Sequence, residues 1–163
     1  MEYRPIMQCG MIQDVAVIPV RLSQTKPSVS NDEVRRTTES SQQWICAFDT
    51  GASTSLISTR AFKTLGFKML NQKLTLRGAA GAKRVDTCKV NILFPNELIL
   101  INKHVAVSNS DLDVLIGMDI LKDFDFSIFT RNRFCYVSLA PQNHLDITHK
   151  PCSLDLQQSV VLE

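Results

Sequence analysis

The apolar residues of this chain, chiefly Val, Ile, Leu and Phe, recur with Thr in short runs divided by turn-forming residues, and only two stretches carry helical spacing. That pattern predicts a mostly β protein. Its 163 residues are 44% hydrophobic and 21% charged, with six Gly and six Pro, which excludes disordered and collagen-like chains and makes a single domain the default. At this length about 70% of the unfolded surface can be buried, so a core needs neither metals nor disulfides.

The first strand expected is Asp14 to Leu22 (DVAVIPVRL), with Pro19 marking an edge or a bulge. Residues 23–43 are almost wholly polar and are expected to form a long solvated loop or hairpin extension. Trp44 to Phe48 (WICAF) reads as a short buried strand that ends at Asp49-Thr50-Gly51-Ala52-Ser53. Thr59 to Leu65, with a serine before it and Gly66 after it, predicts a capped helical turn or two. Phe67 to Leu76 and Ala82 to Phe94 flank Gly78-Ala79-Ala80-Gly81, which predicts a hairpin with a four-residue tip. Glu97 to Val107 and Val114 to Ile116 are further strands. A helical stretch from Gly117 to about Phe124 turns Ile120 and Leu121 inward, and Phe124 to Phe129 with Phe134 to Leu139 forms a closing hairpin. The domain is expected to span 1–139, with 140–163 a polar tail whose last Leu-Glu resembles a cloning remnant.

A net charge of +2 gives no ground for nucleic acid or a membrane surface as partner. No apolar run approaches the roughly 20 residues of a membrane helix. The N-terminal MEYRPIMQCGM lacks the pattern of a secretory signal, so a cytoplasmic protein is expected. The five cysteines, Cys9, Cys46, Cys88, Cys135 and Cys152, are odd in number and form no C-x-x-C pair, so they read as reduced thiols, three of them within strands.

The residues with a chemical use are Asp49-Thr50-Gly51. A carboxylate between a buried strand and a Thr-Gly turn gains a function when two copies face each other. Two aspartates about 3 Å apart cannot both ionise, so they share a proton, one acting as base toward water and the other as acid toward a carbonyl. Gly51 permits the tight turn and the approach of its amide to the carboxylate, while the Thr50 hydroxyl can reach a neighbouring loop. D-T-G alone is a common turn. Here it is followed, some 60 residues later, by Val114-Leu115-Ile116-Gly117-Met118-Asp119-Ile120-Leu121.

Together, Phe48-Asp49-Thr50-Gly51-Ala52-Ser53 and Val114 to Leu121 resemble the retropepsins, the family of retroviral and retrotransposon aspartic proteases and of the protease-like domain of the DNA-damage-inducible shuttle proteins. The resemblance covers roughly residues 12–138. It implies a closed β-barrel of the acid-protease fold, with a flap hairpin and one short helix on the C-terminal side, assembled as a homodimer. It implies an aspartic endopeptidase with Asp49 catalytic and Thr50 and Gly51 bracing it. Ala52, Ser53, Gly78, Ala79, Ala80 and Gly81 would contact a peptide or protein substrate, and Leu115, Ile116 and Gly117 would pack beneath the active-site loop. No cofactor or metal is implied. The alternative use of the same fold is a catalytically silent dimerisation or peptide-binding module.

The chain departs from the retroviral pattern at Ser53, where an acidic residue is usual, and at Met118, where an arginine is usual. A pepsin-like chain would carry two such loops; this one has a single D-T-G, so its second aspartate must come from a second copy. Asp111, Asp113, Asp119, Asp123 and Asp125 lack the order of a calcium loop and are expected to form a solvated rim. His144, Asp146, His149 and Cys152 match no standard metal spacing. Lys83 and Arg84 beside the hairpin tip, and Arg131 and Arg133 in the closing hairpin, read as surface charges, with substrate steering the alternative role.

Overall fold

The computed structural model describes residues 6–12, 15–24, 30–78 and 81–141. In chain order these form β1 (Ile6–Ile12), β2 (Val15–Ser23), α1 (Asn31–Glu39), β3 (Gln43–Phe48), β4 (Leu56–Ser58), α2 (Thr59–Thr64), β5 (Leu70–Gly78) and β6 (Gly81–Leu93). There follow β7 (Ile99–Ser108), β8 (Val114–Ile116), α3 (Met118–Leu121), β9 (Phe124–Arg131) and β10 (Phe134–Pro141).

The strands lie in the order β5-β6-β7-β4-β8-β3-β2-β1-β10-β9, and β2 also pairs with β6. That extra pairing, Arg21↔Leu93 to Ser23↔Asn91, closes β6-β7-β4-β8-β3-β2 into a ring, the barrel the resemblance implied. Alternation along each strand points one set of side chains inward: Ile18, Val20 and Leu22 from β2, Cys46 and Phe48 from β3, Val90 and Ile92 from β6, Val114 and Ile116 from β8. The β5–β6 hairpin and the β1–β10–β9 layer extend from the ring.

Pro19 lies neither on an edge strand nor at a bulge. Beyond β3, β2 is paired by β1 at Val15–Val17 and by β6 at Arg21–Ser23, which leaves a gap between them. The Ile45 N–H opposite Pro19 points away from β2 and donates to Asp113 Oδ2 at 3.2 Å, so the missing Pro19 N–H faces the gap.

Residues 23–43 are not a loop throughout. Ser30 caps α1 by accepting from the Glu33 N–H, with Asp32 and Glu33 in the first turn. Val34 and Thr38 are buried, and the Thr38 hydroxyl donates to Val34 O at 2.7 Å and meets Ser23 Oγ at 2.6 Å. A helix with one apolar residue on its inner face leaves almost no hydrophobic periodicity to read. Arg35 then fastens α1 to Glu97 in the β6–β7 turn.

α2 forms as expected, capped by Ser58 and ended by Gly66 at φ +64. α3 is shorter than expected: Gly117 is its N-cap, Phe124 already belongs to β9, and Ile120 and Leu121 are buried. β1 and β4 are strands that the sequence pattern does not predict. The hairpin strands run on to pair Gly78 with Gly81, so the tip is two residues shorter than predicted; Ala79 and Ala80 lie outside the described residues. So do most of the tail, 142–163, and with it His144, Asp146, His149 and Cys152. Cys9, Cys46, Cys88 and Cys135 are all free, buried and in strands, one more than expected. Among the described residues no helix is long and apolar enough to cross a membrane.

Candidate active site

β3 delivers Phe48 into a cluster with Phe94 and Phe126, at ring-centroid separations of 6.1 and 5.4 Å. These contacts fix the end of the strand, and the next residue is Asp49. Its N–H continues the parallel β3–β8 ladder by donating to Ile116 O at 3.0 Å. The chain then turns: the Ala52 N–H donates to Asp49 O at 3.2 Å, and the Gly51 N–H donates to Asp49 Oδ1 at 2.8 Å. One carboxylate oxygen is thus held by the main chain, and Asp49 is half-buried. Thr50, Gly51 and Ser53 are exposed, and Ala52 is half-buried.

The loop is seated on the end of β8. Leu115 is half-buried, Ile116 and Gly117 are buried, and the Met118 N–H donates to Ala52 O at 2.8 Å. At Gly117 a Cβ would stand 2.7 Å from Ala52 O and 3.0 Å from the Thr54 carbonyl carbon. Only glycine permits that approach of two main chains.

Two residues absent from the sequence reading complete the seat. Ser55 is fully buried, accepts from the Gly117 N–H at 2.9 Å and donates from Oγ to Asp119 Oδ1 at 2.6 Å. The Ser55 N–H donates to both Asp119 oxygens at 2.9 and 3.0 Å, and Ser55 O accepts from the Ala106 N–H. Asp119 is therefore not part of a solvated rim. Nor is Asp113, which is 5% exposed and accepts from the Ile45 N–H and from the Arg60 guanidinium, itself lying over the Trp44 ring. Asp111, Asp123 and Asp125 are exposed. Buried Asp113 and half-buried Asp119 take their partners from distant segments of chain that spacing cannot reveal.

The β5–β6 hairpin carries Gly78 and Gly81 as a cross-strand pair, with Gly81 at φ +105. Thus the structure gathers Asp49, Gly51, Ala52, Leu115, Ile116 and Gly117 into one bonded unit with Ser55 and Asp119, and places Gly78 and Gly81 on a separate element. Thr50 and Ser53 face solvent.

Burial pushes the Cys9 and Cys88 thiols up to about 12 and raises Cys46 further. These thiols are protonated at neutral pH and are inert as nucleophiles. Among the described residues no group of three or more His, Cys, Asp or Glu side chains is arranged to hold a metal.

A family model described as "gag-polyprotein putative aspartyl protease" matches residues 41–123, the segment from just before β3 through α3. Among solved structures, a retropepsin-like aspartic protease from Rickettsia conorii is similar at TM-score 0.50 and 16% identity, over 83% of this chain and 92% of that one. EIAV protease complexed with the inhibitor HBY-793 is similar at 0.47 and 17%, over 69% and 89%. The retroviral protease-like domain of Ddi1 from Leishmania major gives 0.40 and 16%, over 78% and 95%. Among curated proteins none matches in sequence.

Proposed function

The chain belongs to the gag-polyprotein putative aspartyl protease family, and from that premise we propose that it is an aspartic endopeptidase acting as a homodimer through the two Asp49 carboxylates. One observation carries this reading. The single D-T-G presents a half-buried carboxylate at the end of a buried strand, with one oxygen held by the Gly51 N–H. One carboxylate can act as base or as acid but not as both at once. A second copy related by a two-fold axis supplies the other, and the exposed Thr50 and Gly51 are the surface on which the copies meet, with the Thr50 hydroxyl bracing the opposing loop.

In that dimer a water between the carboxylates loses a proton to the ionised one and attacks the peptide carbonyl. The protonated partner donates to the carbonyl oxygen, giving a gem-diol, and a carboxyl then protonates the leaving amine as the C–N bond breaks. The reaction needs no metal or organic cofactor. Ala52 and Ser53 line the floor of the cleft, Leu115, Ile116 and Gly117 support it, and the β5–β6 hairpin is the flap. Gly78, Ala79, Ala80 and Gly81 there offer mainly backbone hydrogen bonds to an extended peptide. The functional unit is one domain, expected over residues 1–139 and carried two residues further by β10, which pairs with β9 as far as Pro141. Four buried free thiols favour the cytoplasm, where cysteines stay reduced.

Incubation with an unfolded protein substrate tests the reading. Wild type is expected to cleave it and Asp49→Asn to leave it intact with an unchanged circular dichroism spectrum, because the substitution removes the ionisable group and keeps its shape. Equal proteolysis by both proteins, or cleavage by neither at concentrations where the dimer forms, overturns it; the second result fits a silent module of the same fold.

A further inference from the structure

The two faces of the β5–β6 hairpin differ in character. Register pairs Leu74 with Val85, Leu76 with Lys83 and Gly78 with Gly81, so these residues share one face. Lys73, Thr75, Arg77, Arg84 and Asp86 occupy the other, where Lys73 and Asp86 form an ion pair at 3.1 Å. On the first face Val85 is buried and Leu74 and Leu76 are half-buried, so that face looks toward the body of the protein. Lys83 interrupts it. It lies two residues from Gly81, directly opposite Leu76, is exposed, and has no carboxylate partner among the described residues.

We infer that Lys83 is a specificity-determining residue that favours acidic side chains in the peptide beneath the hairpin. The inference rests on the peptidase reading for its cleft. A peptide lying between the hairpin and the Asp49 loop strips water from whatever faces it. An ammonium desolvated without a partner is unfavourable, whereas a carboxylate at the same place restores the lost interaction and a second cation adds repulsion. Leu74, Leu76 and Val85 lower the local dielectric and strengthen the effect. A two-fold dimer carries two copies of Lys83, so acidic residues are favoured on both sides of the scissile bond.

The test uses labelled peptides that differ only in a scanned Glu, Gln or Lys, with binding measured by fluorescence anisotropy on full-length Asp49→Asn protein and turnover measured on wild type. The expected result is binding about tenfold tighter for Glu than for Gln at the responsive position, with Lys weakest, and a preference that shrinks as salt is raised. Lys83→Gln should erase the Glu preference and Lys83→Glu should reverse it. Because Lys83 is exposed, both variants retain the fold. A Glu-to-Gln ratio that survives in Lys83→Gln, or a wild type that cleaves without regard to charge, overturns the inference while leaving the peptidase reading intact. A Lys83-dependent Glu preference in binding with no cleavage by wild type supports the inference and overturns the peptidase reading.

Discussion

A Cβ on Gly117 would meet Ala52 O at 2.7 Å and Thr54 O at 3.1 Å, main-chain atoms of the active-site loop with no room to withdraw. Its φ of −100 is ordinary, so the demand for glycine is one of space and not of backbone conformation. Gly117→Ala is expected to destabilise the fold by about 2 to 3 kcal/mol, as overpacking of a rigid contact does, and to disturb the Asp49 loop first. Chemical denaturation of the variant checks the first point and turnover the second. The thiols give a residue-scale prediction of a different kind. In the unfolded chain Cys88 and Cys9 ionise near pH 9.0, but in the folded protein they stay protonated up to about 12. Between those values the unfolded state has released protons that the native state retains, so stability that is fully present below pH 9 falls as pH rises. Thermal melts should show the midpoint dropping from about pH 9 upward, and Cys88→Ala should lessen the slope; a slope unchanged in that variant would assign the loss to other groups.

At the scale of elements, the hairpin and the catalytic loop depend on opposite properties. The loop is locked by hydrogen bonds from β8, Ser55 and Asp119, so its geometry is pre-set. The hairpin is tied to the rest of the barrel through β6 and turns at Gly81, whose φ of +105 a side chain rarely adopts. If the hairpin is the lid, Gly81→Val should slow turnover more than it lowers the melting temperature, since the strain falls at the tip and not in the core. Turnover and melting point changing in proportion would show that the substitution acts through the fold. Much of this architecture was legible beforehand. Ser58, Gly66 and the weak helical spacing between them marked α2, and the Gly-bounded break marked the hairpin. α1 was not legible, because Val34 is its single apolar contact and the other buried residue, Thr38, is polar.

On the scale of the whole molecule, the ring of strands seats one aspartate, and the proposed chemistry requires two. Mixing tests this directly. Equal amounts of wild type and Asp49→Asn, allowed to exchange partners, should give about a quarter of the dimers two intact aspartates, so at a fixed total concentration activity should fall to about that fraction if exchange is random. Activity falling only by half would mean that each chain works alone. Dilution of wild type should lower specific activity as protomers separate, and added peptide should restore it if the peptide binds only the dimer.

The sequence by itself determined the class of the fold and the position of the carboxylate, because both are written locally. Short β-forming runs need only their neighbours to be recognised, and a D-T-G after an apolar strand is a contiguous signal. Tertiary structure alone decided what lies far apart in the chain. β1 gains its place by pairing with β10, and the barrel closes through β2 and β6. Asp119 passes from an expected surface residue to the seat of the loop because Ser55, 64 residues away, brings it an N–H and a hydroxyl. A carboxylate drawn even partly out of water is stable only when donors reach it, and which donors reach it is settled by how the strands close.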